Sequence, residues 1–348
     1  MSPLLLPLVM VGCKKATTPT DTTTGDTGTA APDNLYPLPD DIDEIDFESA
    51  FIEAVRMMTT VTTQAPWKGH VAAIDRREVG CPDFWTDPFT IANQTVGSED
   101  GVAWNDDCLT TSGLVYDGWI WWDSTVRNSG QADTYEGRTS EGSRRLEGKA
   151  TVSTTDDITF EFVGEASDSL YRVQAVGYDR FVYSTRMDAT VTGRDVFETD
   201  SPTPDGYRTD LVMSLTGGDV DNFEARGNVY TFYPQLQGRF DSIGVDMELQ
   251  GPLGAGPDSC TLEPLGWIGL RDENAYWYDV VFLPRFQEDI VDIDYANDPL
   301  SICDGCGRLY VQGIEQEGRE ICIDFSFLFD GTVHLPEIEE YVLPWHSL

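Results

Sequence analysis

The segment Val245-Asp246-Met247-Glu248-Leu249-Gln250 is the clearest indication of the fold class, because apolar and polar side chains alternate along it without a break. Successive side chains of a β-strand point to opposite faces, so this pattern predicts a strand with one buried face and one solvated face. Residues 159–162 and 323–329 alternate in the same way. The alternation therefore predicts a protein built mainly from half-buried strands.

Further strand-like segments follow one another along the chain, separated by breaks rich in Gly, Asp, Asn and Pro. They cover residues 89–96, 114–122, 170–178, 181–191, 210–215, 229–233, 266–270 and 276–283. Many short strands without alternating helices indicate antiparallel all-β architecture. A sandwich, an open meander and a barrel all fit the pattern. We favour a large antiparallel β-sandwich or a curved meander.

One helix precedes the strands and follows an acidic lead-in. Apolar residues recur at helical spacing between Asp46 and about Thr60, and Asp46 is a suitable N-cap. The residues of this apolar stripe are Phe47, Ala50, Phe51, Ala54, Val55 and Met58. We predict that the helix packs against the β core. The lead-in and helix span residues 35–65, and the β domain spans 66–348 with a possible subdivision near residue 260.

The balance of charge limits the possible partners. The chain has 348 residues, with 61 acidic and 22 basic side chains and a formal net charge of −39. Such an acidic surface is repelled by nucleic-acid phosphates, so we expect no nucleic-acid partner. Because 40% of the residues are hydrophobic and 11% are aromatic, the chain is also too rich in core-forming residues to be disordered overall.

The N-terminal residues form a short apolar run that ends in Met10-Val11-Gly12-Cys13. The run is too short to span a bilayer, which takes about 20 apolar residues, and has the size of the apolar region of a signal peptide. Its ending resembles the lipobox of bacterial lipoproteins. The resemblance implies that residues 1–12 are a signal peptide removed before Cys13. It also implies that Cys13 carries a lipid, which makes the membrane a partner of the protein.

A tether follows the lipobox-like segment. Residues 16–34 contain no large apolar side chain and are rich in Thr, Pro, Gly and Asp, so residues 13–34 are expected to be an extended, lipid-anchored linker. In the lipoprotein family, an aspartate directly after the acylated cysteine often marks retention in the inner membrane. Lys14 occupies that position here. The resemblance therefore implies a cell-envelope protein anchored to the outer membrane, on either of its faces.

The remaining cysteines indicate disulfides, because their number is even and an exported chain enters an oxidising compartment. They are Cys81, Cys108, Cys260, Cys303, Cys306 and Cys322. The sequence does not choose among the possible pairings. Locality favours Cys81 with Cys108. It also favours Cys306 with Cys322 across the strand-like runs 308–313 and 319–329, which leaves Cys260 for Cys303.

Metal sites are alternatives to this interpretation. Cys303 and Cys306 form a CxxC that could hold zinc together with Cys260 and Cys322. A redox role ranks lower, because a strand-like run rather than a helix follows the motif. The acidic runs 219–224 and 288–294 offer oxygen ligands for calcium. We expect structural disulfides, ordinary surface charge and no cofactor ahead of either metal.

The segment Gly118-Trp119-Ile120-Trp121-Trp122-Asp123 has the most unusual local composition. On a strand, Trp119 and Trp121 share one face and Trp122 takes the other. Exposed tryptophans on a β surface would form a platform for sugar rings, whereas buried ones would fill the core. We expect core packing and keep the glycan platform as the alternative.

The sequence contains no catalytic signature. His70, His334 and His346 lie far apart, and a GxSxG nucleophile elbow is absent. We therefore expect a non-enzymatic, lipid-anchored envelope protein whose β domain has a binding or structural role toward a glycan or another envelope protein. One alternative is a carbohydrate-binding or carbohydrate-active protein that uses the tryptophan-rich strand. Another is an exported zinc- or calcium-binding protein.

Overall fold

The structure is a computed structural model. It describes residues 38–82, 84–88, 100–105, 107–131, 134–193, 205–218, 221–250, 263–282, 305–331, 333 and 335–341. Cys13, Cys260, Cys303 and the segments 89–96 and 288–294 lie outside these residues. Within the described ranges, no helix combines the length and the apolar character needed to cross a membrane.

In the described part of the chain, fourteen strands form one antiparallel sheet. In chain order they are β1 (Phe84–Pro88), β2 (Asp100–Asn105), β3 (Cys108–Leu109), β4 (Val115–Gly130), β5 (Arg138–Ser153), β6 (Ile158–Ala175), β7 (Tyr178–Thr192), β8 (Gly206–Gly217), β9 (Asn222–Tyr230), β10 (Phe240–Gln250), β11 (Glu263–Asp272), β12 (Trp277–Val281), β13 (Cys306–Val311) and β14 (Ile314–Cys322). The all-β prediction is confirmed.

The sheet is a meander, in which nearly every strand pairs with the next one along the chain. The exception is the short β3, which adds to β4 while β4 pairs with β2 and β5. Of the two favoured architectures, the described strands therefore form the meander and not the two-sheet sandwich. Strands β10 and β11, on either side of residue 260, are direct neighbours with Met247 opposite Gly266.

Among the described residues, two α-helices precede the sheet. Helix α1 (Phe47–Thr63) begins at the predicted cap, where Asp46 accepts a hydrogen bond from the Ser49 amide at 3.2 Å. All six residues of its predicted apolar stripe are buried. Helix α2 (Ala65–Asp75) corrects the prediction that the β domain begins at residue 66, and Pro66 lies in its first turn. Proline is tolerated in the first helical turn, where its missing N–H would have no intrahelical partner.

The helices pack on one face of the sheet, which we call the inner face. The Tyr207 hydroxyl donates to the Val61 carbonyl at 3.1 Å, and the Tyr116 hydroxyl donates to the Ala73 carbonyl at 2.6 Å. The rings of Phe47 and Tyr278 lie 5.6 Å apart. These contacts join α1 to β8 and β12, and α2 to β4. The opposite face of the sheet, the outer face, carries the solvated side chains of the alternating strands.

The predicted strand over residues 323–329 is wrong. Strand β14 ends at Cys322, and Phe325–Leu328 forms a 3₁₀ helix whose cap is Asp324, which accepts from the Ser326 amide at 2.9 Å. Phe327 and Leu328 are adjacent in sequence and both are buried. A side-chain cap at Asp324 offers the backbone an alternative to the sheet ladder, and apolar alternation alone does not reveal it.

Two disulfides connect the described cysteines in the pairs that locality predicts. Cys81 pairs with Cys108, with Cα atoms 5.6 Å apart, and joins the segment after α2 to β3. Cys306 pairs with Cys322 across β13 and β14, with Cα atoms 3.9 Å apart. The first disulfide therefore ties the segment after α2 to the sheet, and the second crosslinks two neighbouring strands of the meander.

Candidate functional site

The three tryptophans of β4 divide between the two faces as the alternation predicts. Trp122 lies in the core, where its ring meets Trp67 edge-on with centroids 5.4 Å apart. Trp119 is 43% exposed on the outer face, and Trp121 is half-buried on that face. One tryptophan is thus a core residue, and two belong to the outer surface.

Of the predicted zinc ligands the described part of the chain contains Cys306 and Cys322, and of the predicted calcium ligands it contains Asp221, Asn222 and Glu224. Zinc is bound by thiolates, so the disulfide between Cys306 and Cys322 removes two of the four predicted zinc ligands. From the first acidic run, Asp221 accepts from the Gly218 amide at 3.3 Å. The described residues contain no group of three or more His, Cys, Asp or Glu side chains placed to hold a metal ion.

A row of hydroxyl side chains crosses five adjacent strands of the outer face. The directly opposed residues, from β4 to β8, are Thr125, Ser143, Ser169, Ser184 and Ser214. Neighbouring strands lie about 4.8 Å apart, so the hydroxyl groups repeat at about this interval across the sheet. The strand register, which the sequence does not show, assembles this row from residues up to 89 positions apart.

The hydroxyl row forms the floor of a groove. Two cavities of about 470 and 440 Å³ lie over it, and both are lined by Thr125, Ser143 and Ser169. Because they share these residues, the cavities are adjoining parts of one depression, which we call the serine groove. Short hydroxyl side chains stand here between longer neighbours on the same strands, and this difference in length creates the depression.

The two cavities of the serine groove are lined by different chemical groups. Asp123, Arg145 and Arg186 line one cavity. Arg127, Glu141, Tyr171 and Val182 line the other. Tyr171 is 45% exposed, so an aromatic ring is available beside charged groups of both signs. The groove therefore offers hydroxyl groups, a carboxylate, guanidinium groups and an aromatic surface to one ligand.

The two arginines that line the first cavity differ in their hydrogen-bond partners. Arg145 donates to Glu165 at 3.0 Å and to Glu147 at 2.7 Å, and its hydrogen bond to the Glu165 carboxylate is the largest influence that raises the pKa of Arg145. Arg186 makes no hydrogen bond or ion pair with any described residue. Arg145 is thus held in place by its partners, whereas the guanidinium of Arg186 is available to a ligand.

The exposed tryptophans extend the serine groove along β4. Trp119, Trp121, Asp123 and Thr125 are successive outer-face residues of this strand. Trp121 lies directly opposite Glu147, which holds the Arg145 side chain. The tryptophan surface considered from the sequence is therefore continuous with the groove. The sequence analysis did not predict the groove itself. Serines at outward positions of a strand are common on protein surfaces, and only the strand register shows that these serines lie side by side.

A buried ion pair lies beneath the floor of the groove. Arg144 and Asp168 point inward from β5 and β6, between the outward residues that line the cavities. The Tyr183 hydroxyl donates to Asp168 at 3.0 Å, and burial raises the pKa of Tyr183 well above its ordinary value. The side chains of Arg144 and Asp168 are at most 2% exposed, so they fix the strands under the groove, although both residues border the first cavity.

The chain matches no protein-family model, no curated protein and no solved structure. Its class is therefore defined by the fold and the site. It is an all-β protein with one antiparallel meander, a helical layer on the inner face, and a polar groove with adjoining tryptophans on the outer face.

Proposed function

We propose that this chain is a cell-envelope lipoprotein whose β domain binds a polyhydroxylated ligand, a glycan, in the serine groove. The observation that carries the proposal is the in-register row of hydroxyl groups inside a groove of two adjoining cavities. Each hydroxyl both donates and accepts hydrogen bonds, as does each hydroxyl of a sugar. A ladder of such groups therefore suits a ligand that presents hydroxyls repeatedly along its length.

The walls of the groove support the same ligand class. Binding sites commonly combine apolar or aromatic surface with a few placed polar groups that fix orientation. Tyr171 and Trp119 supply exposed rings, and Arg186 and Asp123 supply a donor and an acceptor. Aromatic side chains have one apolar face and a polar edge, which suits a sugar ring with an apolar face and hydroxyls around its rim.

The proposed location rests on the N-terminal segment and the cysteines. The lipobox-like ending at Cys13 and the tether up to residue 34 would place the β domain outside the cytoplasm, at the outer membrane. Disulfides persist in oxidising compartments, and two of them staple the described β domain. The tether would hold the serine groove clear of the membrane surface.

Glycan binding is tested on the full chain made soluble by Cys13→Ser. We expect the protein to bind a defined polysaccharide on a glycan array and in calorimetry. Ser169→Leu should weaken that binding at least 10-fold, because it fills the part of the groove that both cavities share. Thr151→Leu is the matched control, since Thr151 lies on the outer face of β5 and outside the groove. Equal binding by Ser169→Leu and wild type would overturn the proposal.

The contribution of the tryptophan surface is tested separately. The double variant Trp119→Ala/Trp121→Ala removes both outer-face rings of β4 and leaves the core residue Trp122 in place. We expect weaker glycan binding with an unchanged circular dichroism spectrum. If the double variant retains full affinity, the ligand is confined to the groove and the tryptophans have no part in binding.

The anchor is tested by metabolic labelling with a clickable fatty acid in a bacterial host. Wild type should label and partition with membranes, and Cys13→Ala should do neither, because Cys13 is the only proposed acylation site. Labelling of Cys13→Ala at the wild-type level would refute the lipoprotein assignment. It would leave the glycan proposal untouched, since that rests on the groove.

A further inference from the structure

A second feature of the outer face lies six strands away from β4, where two glycines face each other. Gly244 on β10 is directly opposite Gly269 on β11, and Asp279 on β12 and Tyr310 on β13 continue the same cross-strand row. The paired glycines leave two adjacent outer-face positions without a side chain. Neighbouring residues can therefore lie directly over the backbone at this point.

Two tryptophans occupy the space above the glycines. A Cβ atom on Gly244 would lie 3.0 Å from Cη2 of Trp267 and 3.3 Å from Cζ3 of Trp277. Both indoles therefore converge on one point of the sheet from neighbouring strands. Trp267 is 36% exposed and Trp277 is half-buried. Atoms of both indole rings therefore lie over the glycine backbone, and both side chains keep exposed surface that a ligand can contact.

The carboxylate of Asp279 lies at the edge of this aromatic surface. Its Oδ1 atom occupies the place where a Cβ of Gly269 would stand, beside the ring of Trp267. Asp279 is half-buried and makes no hydrogen bond or ion pair with the described part of the chain. Burial alone raises the pKa of Asp279 to about 6. Among the described residues, this carboxylate has no partner of the kind that a buried negative charge requires.

The charged groups on the neighbouring strands are engaged elsewhere. Their ion pairs are Arg271–Asp241 at 3.3 Å, Arg226–Asp246 at 3.4 Å and Arg308–Glu315 at 3.7 Å. The Tyr310 hydroxyl, on the strand next to Asp279, donates to Glu315 at 3.2 Å. Each of these three arginines thus has a carboxylate partner other than Asp279. None of these pairs supplies the positive charge that Asp279 lacks.

We propose that Trp267, Trp277 and Asp279 form a binding site for a small organic cation that carries an alkylated ammonium group. A cation over an indole face is attracted by the ring quadrupole, and tryptophan gives the strongest attraction of this kind. The Asp279 carboxylate adds the opposite charge within the same site. An alkylated ammonium ion has both the positive charge and the apolar surface that such a site contacts.

The overall charge of the protein favours the same ligand. With a formal net charge of −39, the protein attracts cations toward its surface and raises their local concentration. The same field disfavours an anionic ligand at an aromatic surface that already holds a carboxylate. The negative charge of the whole protein and the carboxylate of Asp279 therefore both favour a cationic ligand.

The test uses the full chain with Cys13→Ser and follows tryptophan fluorescence during titration with tetramethylammonium and with choline. We expect saturable binding to wild type. Asp279→Asn and Trp267→Ala should each weaken it at least 10-fold. Asp188→Asn is the matched control, because Asp188 is an outer-face carboxylate of β7 that does not border the tryptophan pair. It should bind as wild type does.

A neutral ligand separates charge recognition from simple apolar contact. We expect the carbon isostere of choline, in which a tert-butyl group replaces the trimethylammonium group, to bind at least 10-fold more weakly than choline. Equal binding of the two compounds would overturn the proposal. So would undiminished binding of choline by Asp279→Asn, or no saturable binding of either cation. The serine groove shares none of these residues, so the outcome is independent of the glycan proposal.

Discussion

Arg144 donates from Nε and Nη2 to both carboxylate oxygens of Asp168, at 2.9 to 3.1 Å, and both side chains are buried. The guanidinium lies between two aromatic rings, with its Cζ atom 4.3 Å from the centroid of Trp67 and 4.9 Å from that of Tyr341. It also donates to the Glu340 carbonyl at 3.4 Å. One arginine therefore joins α2, the meander and the C-terminal segment.

Removing Asp168 should destabilise the protein strongly. Asp168→Ala leaves the Arg144 charge buried without a counterion, and breaking a buried pair in this way costs about 3–5 kcal/mol. The free energy of unfolding, measured by urea denaturation, should fall by this amount. A loss below about 1 kcal/mol would show that water or another acceptor satisfies Arg144.

The neighbouring arginine supplies a matched control for this prediction. Arg145 points outward from the same strand and pairs with Glu165 at 3.0 Å, with both side chains about half exposed. Exposed ion pairs contribute about 0–1 kcal/mol. Glu165→Ala should therefore lower the free energy of unfolding by less than about 1 kcal/mol. The difference between the stability losses of Asp168→Ala and Glu165→Ala therefore measures the effect of burial, because both variants remove an arginine–carboxylate contact.

The strand that carries Arg144 also shows where sequence reasoning fails. Strand β10 was predicted, because its inward side chains are apolar. Strand β5 was missed, because its inward positions include Ser140, Gly142 and Arg144. Their environment explains them. A Cβ on Gly142 would lie 2.6 Å from Cγ of Tyr341, so the C-terminal ring requires a glycine there. The pattern of apolar and polar residues within β5 does not reveal that Gly142 packs against Tyr341 or that Arg144 pairs with Asp168.

The candidate sites were only partly predictable for a related reason. The faces of Trp119 and Trp121 follow from alternation within one strand. The serine groove depends on the register of five strands, and the Asp279 site depends on the pairing of Gly244 with Gly269. Register is fixed by hairpin lengths and by burial of the inner face. A single sequence shows these only after the strands have been paired.

His70 should make the stability of the protein depend on pH. His70 is fully buried beside Trp122, with ring centroids 5.2 Å apart, and burial lowers its pKa from 6.5 to about 3. Between these values the unfolded chain binds a proton that the folded chain does not. Stability from this group is therefore complete above pH 6.5 and is lost as pH falls toward 3. The loss is about 2 kcal/mol at pH 5.

The variant His70→Phe isolates this contribution. A ring of similar shape cannot take up a proton, so the free energy of unfolding should lose the part of its pH dependence that lies between pH 6.5 and 3. The measurement is urea denaturation of both proteins at several pH values. Parallel curves for His70→Phe and wild type would show that carboxylates alone cause the acid sensitivity.

The Cys81–Cys108 disulfide should contribute substantially to stability. It closes a loop with a sequence separation of 27 residues, and a crosslink of this span restricts the unfolded chain by about 3–4 kcal/mol. The double variant Cys81→Ala/Cys108→Ala should lose that amount in urea denaturation. The Cys306–Cys322 disulfide spans 16 residues, so the corresponding double variant should lose slightly less, about 3 kcal/mol.

Replacing Asp279 should stabilise the protein above pH 6, in contrast to the other substitutions. The pKa of Asp279 is about 6 in the folded chain and 3.8 in its ordinary state. The folded chain therefore holds a proton that the unfolded chain releases between these values, and stability falls as pH rises from about 4 to 6. Asp279→Asn removes the desolvated charge. The free energy of unfolding should rise by about 1–3 kcal/mol at pH 7.

The pH dependence distinguishes this effect from a general benefit of lower charge. Asp279→Asn and wild type should have equal stability near pH 3, where the carboxyl group is neutral in both the folded and the unfolded state. Asp188→Asn removes one negative charge from a more exposed part of the outer face, and surface substitutions of this kind change stability by less than about 0.5 kcal/mol. If both variants gain the same stability at pH 7, net charge and not burial of Asp279 is responsible. A gain confined to Asp279→Asn would mean that the folded protein maintains an unfavourable carboxylate beside Trp267, as a site that selects a cation requires.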